Sequence, residues 1–383
     1  MNNIGKRLHF GIISVIAYLT ASLCQAELKP ISDTEMSDIT GQAFFSVDNY
    51  AYEGTEFMRL NLGLEIETLL DIGELEVGRY HRWENGDPCL ECDGTEAGLE
   101  RHPADLMLKN FSLGHINEDT DEIDPFYLKD PFLEFALDDQ GTPIGVRLGF
   151  ANAKGWLSGN ITSLTGNIDI AIKDTAYGLS QMAPDCSAGA YECFLGLLLK
   201  VLGPPILQGS PLEAEANLVN QEGDLDPVRA NMVGMEDGKE FRADGTGEIN
   251  FFERALLDLM IALTPSRYNA RREGDIVIFE SANCDILSVP VCFDLSNFGS
   301  FEIGRGTETG TPGLFLSVQT ADTIKWAQTF EENPGSAVQT FQETGFGTFF
   351  NIPNDGVAVT LQEAMNGIDR KQTHFINRGM GLF

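Results

Sequence analysis

The sequence predicts a mainly β protein: a large antiparallel sheet or sandwich-like domain carrying a partly helical insertion. Two observations predict it. Short runs of alternating apolar and polar residues recur from Ala43 onward, separated by Gly, Asn, Asp and Thr. After the N-terminal leader, "NFFERALLDLMIAL" (250–263) is the best helical pattern. Phe252, Leu256, Leu259 and Leu263 share one face, and Pro265 is the stop. A hydrophobic content of 43% with 25 Phe points to a packed core and away from disorder.

The chain opens with basic Lys6 and Arg7, an apolar stretch over 10–23, and then Cys24-Gln25-Ala26. This is the layout of a secretory signal peptide, cut between Ala26 and Glu27. The stretch falls short of the roughly 20 apolar residues that span a bilayer. Bulky Leu23 stands where a lipoprotein signal anchored at Cys24 calls for a small residue. Residues 27–42 form a short helical segment, with Ser32 as N-cap, Glu35 completing a capping box and Gly41 as the stop.

The first part of the β-domain spans 43–176. "LNLGLEIE" places Leu60, Leu62, Leu64 and Ile66 on one strand face. "PFLEFALDDQGTPIGVRLGF" (131–150) reads as a hairpin around Asp-Asp-Gln-Gly. "LSGNI" (157–161) and "LTGNI" (164–168) are too few copies for a solenoid and read as two short strands joined by a turn. Residues 177–273 read as an insertion with a cysteine loop, a Leu-rich segment broken at Pro204-Pro205, and the helix. Strands resume over 274–383. No later apolar run is long enough to predict a transmembrane helix.

Charge narrows the partners. The chain has 25 Lys+Arg against 58 Asp+Glu, a formal balance of −33. Loss of the leader, with Lys6 and Arg7, makes it more negative still. Such a field opposes nucleic acid and anionic lipid, and it suits solubility and divalent cations. Of seven cysteines, Cys24 leaves with the leader. The others form three local pairs, Cys89/Cys92, Cys186/Cys193 and Cys284/Cys292, each bracketing a turn-like loop. An exported chain meets an oxidising compartment, so these pairs are expected as disulfides. "PCLEC" has the spacing of a redox or zinc-ligating pair. Asp87, Glu91 and Asp93 around it would raise a thiol pKa, and no βαβ pattern surrounds it.

"RADGTGEINFFE" (242–253) resembles the twelve-residue EF-hand calcium loop. The resemblance places Asp244, Thr246, Glu248, Asn250 and Glu253 at ligand positions and Gly247 at the turn, which makes calcium the candidate cofactor. Arg242 departs from the pattern, because a cation stands where the first carboxylate belongs. The other reading is a Gly-rich turn feeding an amphipathic helix. Catalytic signatures such as G-x-S-x-G, H-E-x-x-H and the Walker loop do not occur in the sequence, and no catalytic residue is assigned. A carboxylate pair for glycoside hydrolysis has no local motif to mark it. The C-terminal Phe383 matches a barrel-closing strand, but Gly379 and Gly381 occupy lipid-facing positions.

"LKPISDTEMSDITGQA" (28–43) resembles the mature start of a loose group of Gram-negative exported proteins, some labelled putative pilus-assembly proteins of the Fil type. Asp33, Met36, Ile39, Thr40, Gly41, Gln42 and Ala43 carry the match. The resemblance implies a surface- or appendage-associated β-protein without known catalysis, and it assigns no functional residue. The leading expectation is therefore an exported structural or interaction protein of the cell surface, outer membrane or exterior. Its expected partners are other surface or pilus proteins, or further copies of itself. The alternatives are a periplasmic or outer-membrane-associated binding protein for an apolar ligand or sugar, and a secreted hydrolase.

Overall fold

The computed structural model describes residues 45–99, 104–175, 211–244, 251–274, 276–286, 289–328 and 340–374, with Cys193, Gly196, Leu197 and Lys200. Contacts divide the chain into two units, 1–43 and 44–383. The first holds the expected leader and short helix and lies outside the described residues.

Among the described residues the second unit is built on one sheet of 17 strands. In chain order these are β1 (Phe45–Tyr52), β2 (Thr55–Leu62), β3 (Glu65–Thr68), β4 (Leu70–Arg79), β5 (Ala104–Leu113) and β6 (Phe126–Leu137). Next come β7 (Pro143–Leu164), β8 (Gly166–Thr175), β9 (Pro211–Val219), β10 (Met232–Gly234) and β11 (Glu240–Asp244). After helix α1 (Phe251–Leu263) follow β12 (Arg271–Glu273), β13 (Ile276–Glu280), β14 (Cys292–Asp294) and β15 (Ser300–Ile303). The last are β16 (Phe315–Ala327), β17 (Phe341–Val359) and helix α2 (Leu361–Asn366). The fold is mainly β, as the alternation predicts, and α1 coincides with the helical pattern. Among the described residues no helix is long and apolar enough to cross a membrane.

Two long strands organise the sheet. β7 pairs along one edge first with β6 and then with β5, and along the other first with β16 and then with β15. β17 pairs with β16 over its first half and runs parallel to β8 over its second. That parallel pair is the exception in an otherwise antiparallel sheet. β8 carries Ile168, Ile170, Ala171 and Ile172, all buried, as a strand covered on both faces requires. Gly166 starts β8 because a Cβ there would lie 2.0 Å from the Phe350 carbonyl oxygen.

The expected hairpin forms between β6 and β7 with the register Phe135 to Val146. Asp138 closes its turn by accepting from the Gln140 and Thr142 amides at 2.9 and 2.7 Å. "LSGNI" lies within the 22-residue β7, and "LTGNI" crosses from β7 into β8. Within 177–273 the structure differs from a separate insertion over 211–244. There β9 pairs with β8, and β10 and β11 continue the same sheet. Ala214, Ala216 and Leu218 are buried while Glu213 and Glu215 face solvent. Ala and Glu have weak strand propensity, so cross-strand pairing decides this segment.

The sheet covers two apolar clusters. The larger joins β5, β7, β8, β9, β13, β15 and β17, with Leu157, Ile168, Phe279, Phe301 and Ile352 among its members. The smaller holds Phe57, Ala136, Phe315, Ile324, Trp326 and Phe349. Its wall runs through β1, β2, β6, β7, β16 and β17.

Candidate functional site

Inside the smaller cluster lies a charged row. Arg59 on β2 stands opposite Glu134 on β6, and Glu134 stands opposite Arg147 on β7. The Arg59 Nε and Nη2 both donate to Glu134 Oε1 at 3.2 Å, and the Arg147 Nε donates to Glu134 Oε2. All three side chains are at most 4% exposed. Arg147 also donates to the Ala327 carbonyl at 2.8 Å and lies against the Phe132, Phe315 and Trp326 rings. Burial lowers the Arg59 pKa to about 10, Glu134 opposes that shift, and Arg147 adds to it. Burial, and then the Glu134 charge, raises the Tyr50 phenol well above its ordinary value.

A second group of the same kind sits between β5, β17 and two loops. Asp105 is fully buried. Its Oδ1 accepts from Arg82 Nε at 2.9 Å and Arg229 Nε at 3.0 Å. Its Oδ2 accepts from the Tyr80 hydroxyl at 2.8 Å and the Thr348 amide at 2.9 Å. Both guanidiniums lie over the Tyr80 ring. Burial first, and Asp105 second, raises the Tyr80 pKa. Each group is thus one carboxylate held by two arginines and flanked by a tyrosine. Such groups fix strand register, because any slip would strand a buried charge.

The opposite face of the same wall is apolar. Because side chains alternate, an inward Arg59 turns its neighbours Met58 and Leu60 outward. One outward row reads Val47, Leu60, Leu133, Leu148, Leu316 across β1, β2, β6, β7 and β16. The next row reads Met58, Phe135, Val146, Val318. Val47 is 52% exposed, Leu148 47%, Val318 43% and Met58 40%. Leu316, at the end of the first row, packs against the larger cluster. At sheet spacings the two rows with Phe45 and Leu62 cover on the order of 400 Å², the size of the largest apolar patch on an ordinary monomer, which is often functional. Among the described residues β1 pairs only with β2. Phe45, Ser46, Val47, Asp48 and Asn49 are all exposed along it. An edge with one charge and no Pro or Lys is open to pairing.

The predicted site residues fall as follows. Cys89–Cys92 and Cys284–Cys292 are disulfides, and Cys193 is disulfide-bonded, while Cys186 lies outside the described residues. Asp244 ends strand β11 and Glu253 falls in α1; Thr246, Glu248 and Asn250 lie outside the described residues. Arg242 pairs with Glu240 at 2.8 Å. Ala26 and Glu27 lie in the first unit. Among the described residues no group of three or more His, Cys, Asp or Glu is arranged to hold a metal ion. Asp71 meets His374 at 3.6 Å, and the neighbouring Ser112 is fully buried, where no substrate can reach it. Sequence reading missed the four buried arginines. The available signal was confined to Arg59, which alternates with Phe57 on β2; Arg82 and Arg229 lie outside the 17 strands and had none.

Searches of protein-family models, curated proteins and solved structures find no match to this chain.

Proposed function

We infer that this chain is an exported, non-catalytic interaction protein of the Gram-negative cell surface, associated with pili or adhesion, which works by self-association. The observation that carries the reading is the uncharged apolar face beside the open β1 edge. Interface cores are depleted of charge in the same way. Two copies related by a twofold axis would lay these faces together about 10 Å apart, as sheets of a sandwich pack. The −33 balance opposes that contact at low salt, so screening strengthens it. The disulfides suit an oxidising exterior.

The test is the mass in solution by light scattering after chromatography. A dimer is expected that becomes more populated as salt rises from about 20 to about 300 mM. Val47→Lys with Leu148→Glu replaces two exposed side chains and should return it to monomer with an unchanged circular dichroism spectrum. A wild-type monomer at about 100 μM in the higher salt overturns self-association at any affinity tighter than a weak encounter.

A further inference from the structure

A separate cleft of about 500 Å³ opens above the Asp105 group. This is within the range of small-ligand sites, roughly 300–1,000 Å³. Its walls come from the loop carrying Asn85 and Asp87, the start of β8, the end of β9, a bulge in β16 and the start of β17. Leu225, Val228 and Phe346 give it apolar surface, with the buried Ile168 and Leu218 behind them.

Its hydrogen-bonding valences are lopsided. The Arg82 guanidinium is spent on Asp105 and on the Gly86 and Phe346 carbonyls. Asn85 Nδ2 donates to Asp87 at 2.7 Å, and Asn167 Nδ2 donates to Asn351 at 3.2 Å and to the Ile352 carbonyl at 3.1 Å. Gln342 Nε2 donates to the Glu343 carbonyl at 3.1 Å. Gly166 N–H is spent on the Pro227 carbonyl at 2.9 Å. Apart from the Asn217 amide, the side-chain amide and guanidinium donors lining the cleft have internal acceptors. Two carboxylates keep their acceptors open. Asp322 makes no side-chain hydrogen bond or ion pair among the described residues, and Glu343 has only Lys325 at 3.9 Å, which is itself bonded to Glu53 at 2.9 Å. Asp87, Asp322 and Glu343 come from three different segments, and no three acids stand close enough to share a metal ion.

Two carboxylates without hydrogen-bond donors, a third bonded only to Asn85, their spread over separate walls and the apolar surface between them match one ligand chemistry. We propose that this cleft binds a linear organic polycation of the polyamine class. Its ammonium groups meet Asp322, Glu343 and Asp87, and its methylene chain lies along Leu225, Val228 and the Phe346 ring. Anions are excluded because the one arginine is neutralised. Neutral polyols gain nothing from the −33 field that concentrates cations.

Calorimetry with spermidine on the full chain in about 150 mM NaCl tests this, since bulk counter-ion attraction is largely screened there. One saturable site is expected. Asp322→Asn with Glu343→Gln, both exposed positions, should weaken it about tenfold, as two surface ion pairs allow. Asp119→Asn with Glu122→Gln removes the same charge from an exposed loop outside the cleft and should leave binding unchanged. Equal weakening by both double variants overturns the proposal. So does the absence of saturable heat, or displacement of spermidine from the wild type by equimolar Mg²⁺ or maltose. Failure here leaves self-association untouched, because the two surfaces use different residues.

Discussion

Asp105→Asn isolates the energetics of a carboxylate shared by two buried arginines. The substitution keeps the side-chain shape and removes the charge. Arg82 and Arg229, each 3% exposed, are left with carbonyl acceptors but no counter-charge. The new amide also turns a donor toward either the Thr348 N–H or the arginine Nε groups, all of which now donate to Asp105. Removing one partner of a buried pair costs about 3–5 kcal/mol, and with two dependents the upper half of that range is expected. That is about a quarter or more of the stability of an ordinary domain, roughly 5–15 kcal/mol. Urea unfolding followed by tryptophan fluorescence reads it, since Trp326 is fully buried. With a slope of about 3 kcal/mol/M, a loss of about 4 kcal/mol moves the midpoint by roughly 1.3 M at unchanged slope. Asp105→Leu with Arg82→Met and Arg229→Met removes all three charges and should recover most of the loss. A loss under about 1 kcal/mol for Asp105→Asn, or a triple variant no better than the single, would refute the reasoning.

Two further outcomes are expected. Burial holds the His115 imidazole below its ordinary pKa of 6.5, against the opposing pull of Asp124. The folded state favours the neutral ring, so this contribution is full above pH 6.5 and is lost as pH falls through the folded value. Urea midpoints measured from about pH 7.5 to about pH 5.5 should decline, with a shallower decline in His115→Asn; equal slopes would remove His115 as the cause. Gly166→Ala pushes a methyl into the Phe350 carbonyl and should cost about 3 kcal/mol by separating β8 from β17. Gly73→Ala meets nothing within 4 Å and should be neutral in the same urea unfolding assay, so equal effects would discredit the steric account.

The strand-rich class, the β6–β7 hairpin and α1 were legible because each rests on local alternation, turn chemistry or helical periodicity. Two of the cysteine pairs were legible from their short loops. The smaller cluster was not. The alternation puts Leu60 and Leu62 on one face of β2, and it is the other face, with Phe57 and Arg59, that is buried. A period of two tells which residues share a face and not which face is inside. The buried side is set by what meets it across the sheet, here Glu134 and Trp326. β9 was missed for a related reason: Ala-Glu alternation becomes a strand only when β8 offers an edge. The cleft assembles residues from 82 to 349 through long-range pairing, so no contiguous motif announces it.

The place of β17 governs how the native state can be reached. This strand lies in the sheet interior, inserted between β16 and β8, and Asn351 bonds Asn167 across 184 residues of chain. The last strand among the described residues is thus a keystone laid near the middle of the arch. A nascent chain released before residue 341 would have no partner for the β17-facing edge of β8, a template for intermolecular pairing. Loop-closure entropy for that span must be met before its contacts form, which places the chain among slow, high-contact-order folders.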